Sequence, residues 1–306
     1  MEFSRREVLL GGTGLCAGAA FMTIPTLAPA QIALNDMQID VVSDGSLTLP
    51  GSFIFDPMPQ DALGPVLGKY GISSDVLTPP CNVTLLRMNG RVVLFDVGSG
   101  PDFAPNAGTL LTSLDALGIT PDDITDVVFT HAHPDHLWGV LDDFDDPLFP
   151  NAAYLMGQDE WNYWTNPNTV DEIGTARTAF AVGAARRLSS IEEQVSFFKD
   201  DDEILPGVAA RATYGHTPGH MAMEVHSGSQ SVMILGDCIG NHHVAFEKPH
   251  WHSGSDQDLE QAAKTRVSLM DQLASEKTQI IGYHLKGNGV GYVDKTASGY
   301  HFVPEV

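Results

Sequence analysis

The chain alternates short apolar runs with segments in which apolar residues return every three or four positions. Val83 to Met88 and Val92 to Asp96 flank Asn89-Gly90, a pair that tolerates the left-handed backbone of a two-residue turn, so this stretch predicts a β-hairpin. Ile39 to Val42 and Leu47 to Leu49 flank Asp44-Gly45 and predict a second hairpin. Residues 53–78 are rich in Pro and Gly without a clean period, and read as a long loop region. Leu110, Leu111, Leu114 and Leu117 recur at helical spacing up to Gly118, which ends that helix. Thr120-Pro121-Asp122-Asp123 then looks like a cap and a first turn. Further helices are predicted over 158–164, 175–188 and 257–273, and strands over 127–130, 208–213, 221–226 and 231–236. Two hairpin-rich halves, each with helices, predict an α/β fold. No linker divides residues 31–306 into two domains.

The chemistry concentrates where apolar runs end. His131-Ala132-His133-Pro134-Asp135-His136 follows the run Val127-Val128-Phe129 and places three imidazoles and a carboxylate within six residues. In extended backbone His131 and His133 point the same way and reach one ion. Asp135 and His136 lie past Pro134, where the chain turns, and can address a second. Three more segments have the same character. Thr213 to His220 is a Gly/Pro-punctuated loop that presents His220, Ser231 to Asp237 is an apolar run ending in a carboxylate, and Gln279 to His284 is another ending in an imidazole. Imidazole and carboxylate suit zinc and its first-row neighbours.

This combination resembles the metallo-β-lactamase superfamily, whose mark is HxHxDH with a later His, Asp and His. The resemblance implies a four-layer αββα sandwich with its site at one edge between two sheets. It implies two divalent metal ions, zinc first, with manganese, cobalt or iron as alternatives. His131, His133 and His220 would hold one metal, and Asp135, His136 and His284 the other. Asp237 would bridge them, and Asp135 and Asp237 would serve catalysis by a metal-bound hydroxide. Asp96, at the end of Val92 to Gly98, looks like the carboxylate that fixes a ligand imidazole. His216 is read as a structural loop histidine, because His220 holds the motif position.

Segments 39–50, 149–152, 215–220 and 299–304 are similar to methyl parathion hydrolase and its relatives, which implies neutral phosphotriesters, aryl esters and lactones as substrates. On that resemblance Phe103, Trp164 and Phe180 are aromatic pocket residues. His242, His243, His250, Trp251 and His252 cluster after Asp237 and read either as exposed loop histidines or as the pocket mouth. Asp237 in place of Cys separates the chain from the β-lactamases with a thiolate there. Gly240 stands where acyl-homoserine lactonases carry a leaving-group Tyr, which leaves lactonase activity with an atypical assist as one alternative. Trp138 stands where the motif usually continues with Gly-Gly. A mononuclear iron oxidoreductase of the persulfide dioxygenase type is a second alternative, disfavoured by the presence of both His136 and His284.

Charge narrows the partners. The 306 residues carry 39 acidic and 16 basic side chains, a formal net charge of −23. That field repels a phosphate backbone and argues against nucleic acid. A small neutral ester fits best. At the N-terminus Ser4-Arg5-Arg6 precedes a Gly/Ala-rich apolar stretch and Ala28-Pro29-Ala30, which predicts a Tat-type signal peptide over 1–30. The mature enzyme is then expected in the periplasm with no stable membrane anchor, and homodimerisation is left open. Cys81 and Cys238 are read as buried small hydrophobes.

Overall fold

In a computed structural model that describes residues 30–305, two seven-stranded sheets pack face to face. The twin-arginine pair and the leader read over 1–30 lie outside the described residues, apart from Ala30, which opens the first strand. The first sheet contains strands Ala30–Leu34, Met37–Ser46, Pro80–Met88, Arg91–Phe95, Asp126–Phe129, Ala153–Gly157 and Val195–Phe198. The second contains Glu203–Leu205, Val208–Ala212, Met221–Ser227, Gln230–Ile234, Gln279–Ile281, Val290–Lys295 and Tyr300–Pro304. Within each sheet, every strand lies beside the one before it.

The period-two pattern sorts the layers. Val93, Phe95 and Val128 face the other sheet and meet Met223, Val225, Val232 and Ile234. Their neighbours Leu94, Val127 and Phe129 face outward and are covered by Ala181, Ala184 and Leu188 of helix Thr178–Ile191. On the far side, Leu269, Met270 and Leu273 of helix Leu259–Glu276 cover Ile280, Val293 and Phe302. Helix, sheet, sheet and helix make the four-layer αββα sandwich. Each large side chain so buried contributes roughly 1.5–3 kcal/mol. Among the described residues no helix is long and apolar enough to cross a membrane.

The Asn89-Gly90 hairpin forms as its sequence predicts. Met88 pairs with Arg91, and both turn residues have positive φ, 47° and 78°. The Asp44-Gly45 hairpin does not form. Met37–Ser46 runs on as one strand, while Leu49–Pro50 pairs with Val76–Leu77. The reason is that Asp44 is wholly buried. Its carboxylate accepts from Ser99 N (2.8 Å), Ser99 Oγ (3.0 Å) and Leu110 N (2.9 Å). Gly45, at φ 94°, bridges to Ala107, and a side chain there would lie 2.2 Å from Asn106 O. The Asp-Gly pair therefore ties a loop to the sheet.

The expected long loop over 53–78 is also corrected, because it contains helices Gly51–Phe55 and Gln60–Tyr70. Gly64, Pro65 and Gly68 make the second a poor helix by propensity. Burial outweighs that cost: Leu63, Val66 and Leu67, at helical spacing, pack with Ile54, Phe55, Leu77 and Val244.

Candidate metal centre

In each sheet the C-terminal ends of two neighbouring parallel strands supply the site. In the first sheet, Arg91–Phe95 leads into Asp96, and its parallel neighbour Asp126–Phe129 leads into His131 to His136. In the second, Gln230–Ile234 leads to Asp237, and its parallel neighbour Gln279–Ile281 leads to His284. Thr213 to His220 connects two further strands, and Met221 N donates to Thr130 O (2.9 Å), locking the two sheets at this corner.

The imidazoles are fixed from behind. Asp96, in a left-handed conformation at φ 65°, accepts from Thr130 N (2.8 Å), Thr130 Oγ1 (2.7 Å) and His136 Nδ1 (2.8 Å). Because Thr130 Oγ1 donates to Asp96, its lone pair is left for His131 Nδ1 at 3.0 Å. His216 Nδ1 lies 3.0 Å from Asp256, His220 Nδ1 2.8 Å from Thr213 Oγ1, and His284 Nδ1 2.8 Å from Pro80 O. With Nδ1 engaged, Nε2 of His131, His136, His216 and His284 is the nitrogen left for the centre.

Two donor groups result. His131, His133 and His216 bring ligand atoms within 4.8 Å of one another, and so do Asp135, His136, Asp237 and His284. All seven residues are buried. His133 Nδ1 lies 3.1 Å from His131 Nε2 and 2.9 Å from His216 Nε2. His220 is equally buried, but its Nε2 accepts the Asp237 N–H at 2.9 Å and stands outside the first group. The loop expected to present one imidazole thus brings two to this corner.

The donor set fits divalent cations. Asp135 Oδ2, His136 Nε2 and Asp237 Oδ1 are buried without a hydrogen-bond partner, although they lie 3.1–3.5 Å from acid or imidazole neighbours. Orphaned acceptors and imidazole nitrogens converging on one point are what a cation would satisfy. The electrostatics agree. Burial holds His131, His133 and His220 well below the usual imidazole range, with neighbouring imidazoles adding to the effect. Burial also works against charge on His136 and His284, but the facing Asp237 and Asp135 carboxylates lift both well above it. Burial alone would raise Asp135 and Asp237, yet these same imidazoles hold both acids low. The acid-bearing group therefore favours positive charge, while His131, His133 and His220 stay neutral with lone pairs to give.

Glu160 is a residue that the sequence reading missed. It is 1% exposed, and its carboxylate accepts from Ala132 N (2.8 Å), Trp164 Nε1 (2.6 Å), Thr217 Oγ1 (2.7 Å) and Gly219 N (3.0 Å). It ties the His131 to His136 loop to the Thr213 to His220 loop. The available signal was an acid four residues before a tryptophan on the buried face of helix Gln158–Thr165.

Above the centre opens a cavity of about 620 Å³. Its floor contains His133, Asp135, His216, Asp237 and His284, and Phe103, Phe180, His242 and His243 line its sides. The roof is apolar, with Phe53, Ile54, Met58, Ile72, Leu77 and Trp251. Trp164 is corrected: it is 1% exposed and does not line the cavity. Its indole N–H is held by Glu160, and the ring packs edge-on against His133 with centroids 5.7 Å apart. Trp138 packs on Phe103 and beneath Arg187, and it fits there because residue 183 is Gly. Among the described residues Cys81 and Cys238 are buried and form no disulfide.

Comparison with known proteins gives a consistent picture. The family model of the metallo-beta-lactamase superfamily matches residues 77–276. Among solved structures, AidC, a dizinc quorum-quenching lactonase in complex with the product N-hexanoyl-L-homoserine, superposes with a TM-score of 0.85 at 25% identity, covering 92% of this chain and 98% of its own. The hydrolase AbOPH, of the beta lactamase superfamily, gives a TM-score of 0.83 at 25% identity over the same shares. An uncharacterised protein of Mycobacterium tuberculosis is 24% identical over 234 residues, 72% of this chain and 92% of that one.

Proposed function

Because the chain belongs to the metallo-β-lactamase superfamily, we propose that it is a dinuclear metal-dependent hydrolase of neutral lactones and aryl esters. The observation that carries this reading is the pair of buried donor groups on the floor of a cavity with an apolar roof. The lactonase likeness at 25% identity supports it. His131 and His133, with an imidazole of the Thr213 to His220 loop, would hold one cation, Asp135, His136 and His284 the other, and Asp237 would face both. Such cations, when bound, supply Lewis acidity and lower the pKa of water toward 7. This chain's own residues do the rest. Asp96, Thr130 and Asp256 hold the Nε2 atoms of His136, His131 and His216 toward the centre, and Glu160 keeps the two loops in register. Phe103 and Phe180 offer aromatic faces for a flat leaving group, and the apolar roof suits a hydrocarbon arm.

A substrate panel tests the reading. It contains an aryl ester, an alkyl γ-lactone, an acyl-homoserine lactone, a neutral phosphotriester, a β-lactam and a glutathione thioester. Turnover of the ester or lactones is expected, with less of the phosphotriester and little of the last two, which are anions facing a chain of net charge −23. A clear preference for the thioester or the β-lactam would contradict it. The twin-arginine pair supports export to the periplasm as a proposal. Arg5→Lys with Arg6→Lys should retain the enzyme in the cytoplasm, and an unchanged periplasmic yield would count against export.

A further inference from the structure

Two imidazoles of the first donor group are backed at Nδ1, His131 by Thr130 Oγ1 and His216 by Asp256. His133 is turned the other way round. Its Nδ1 faces the other two rings, 3.1 Å from His131 Nε2 and 2.9 Å from His216 Nε2. Its Nε2 meets the side-chain amide nitrogen of Gln257, 3.2 Å away. That is the one hydrogen-bond partner of His133 Nε2 among the described residues. Gln257 stands just before Asp258, which caps helix Leu259–Glu276 by accepting from Gln261 N (2.9 Å). The loop that carries His216 fixes its place. Gln257 N donates to His216 O (3.1 Å) and Gly215 O (3.2 Å), and Asp258 N donates to Gly215 O (2.9 Å). The helix can lie this close because residue 215 is Gly, at φ 125°; a Cβ there would stand 2.2 Å from Ala262 N. The dipeptide Asp256-Gln257 thus reaches two imidazoles of one group, His216 at Nδ1 and His133 at Nε2.

We propose that Gln257 is a positioning residue for His133: it sets the tautomer of that ring and, through it, the affinity of the first donor group for a divalent cation. This rests on reading the first donor group as a cation site and is independent of the substrate. The argument follows one proton. A neutral imidazole has one N–H and one lone pair. To serve a cation, Nδ1 must offer its lone pair beside those of His131 and His216, so the proton belongs on Nε2. The Nε2–H then needs an acceptor, and Gln257 is the group beside it. A half-turn about the last side-chain bond brings the carboxamide oxygen to the place of the nitrogen, so Gln257 can meet either tautomer. With Nε2–H donated to Gln257 Oε1, Nδ1 is held as an acceptor. The proton leaves Nδ1 and one returns at Nε2, so the ring stays neutral. This partner is uncharged, whereas His136 and His216 are backed by the carboxylates of Asp96 and Asp256. A carboxylate raises the basicity of a ligand imidazole more than a neutral amide does, so His133 is the ring whose donor strength can still be increased.

The test reads metal binding and not turnover. Full-length protein is titrated with zinc against a chromophoric chelator, which yields two dissociation constants, and His216→Gln identifies the one that belongs to the first group. In Gln257→Leu that constant should rise about 10–100-fold while the other stays as in wild type, which also shows that the variant is folded. Gln257→Glu can only accept from the ring, and should bind the first cation at least as tightly as wild type. NMR of zinc-loaded protein labelled at its histidine nitrogens separates positioning from packing. His133 should show an Nε2–H signal, assigned by its loss in His133→Gln, that broadens or shifts in Gln257→Leu and persists in Gln257→Glu. A first constant within about twofold of wild type in Gln257→Leu overturns the inference. So does an equal weakening of both cations, a loss in Gln257→Glu as large as in Gln257→Leu, or a His133 ring protonated on Nδ1 in the zinc-loaded protein. Wild type that binds zinc at the Asp135 to His284 group alone removes the dinuclear reading and this inference together. Two bound zinc ions without hydrolysis of any ester or lactone refute the proposed activity and leave the inference to stand on the two constants.

Discussion

The floor and the roof of the cavity reach their positions by different routes. The floor is polar and fixed by short contacts: Asp96 alone accepts three hydrogen bonds of 2.7–2.8 Å, and Glu160 joins two loops through three more. The roof is apolar and fixed by packing. Helix Gln60–Tyr70 contains two glycines and a proline and keeps its place because Leu63, Val66 and Leu67 are covered. Changes to the floor should therefore alter what the site binds, while changes to the roof should alter stability and the choice of substrate.

The largest effect is expected at Asp237, which faces His136, His216 and His284 at 3.2–3.5 Å. Asp237→Ala should abolish most hydrolysis and lower metal content at one or both sites, read by elemental analysis beside an ester assay. Full metal content with wild-type activity would show that this carboxylate is assigned wrongly. A step outward, Asp96→Ala removes the acceptor that orients His136 and should weaken metal affinity about 10–100-fold, measured by competition with a chelator. An unchanged affinity would mean that packing alone orients the ring. In the roof, Leu67→Ala should cost about 2–5 kcal/mol in urea unfolding while leaving metal content as in wild type. Loss of metal in this variant would break the division between floor and roof.

The same division explains what the sequence made legible. The His131 to His136 spacing is local, so the backbone periods at a strand end nearly dictate a ligand cluster. The two sheets follow from period-two runs and from Asn89-Gly90. The roof helix was not legible, because Pro65 and its glycines argue against a helix unless the surfaces that cover it are known. Asp44-Gly45 misled for a related reason: its hairpin signal is local, but its role depends on Ser99 and Leu110, more than fifty residues away. Trp164 is placed in the pocket wall by resemblance, and only the Glu160 partnership shows why it lies against His133 instead. His216 and His220 share one short loop, and spacing alone could not tell that both would be buried at the centre.

The central claim is that the floor holds two divalent cations, and the most direct test is to count them. Purified wild-type protein, freed of loosely bound ions, should contain about two zinc-group ions per chain by elemental analysis and lose hydrolysis when a chelator removes them. About one iron per chain with no zinc-group metal, or hydrolysis that survives complete metal removal, would contradict the account.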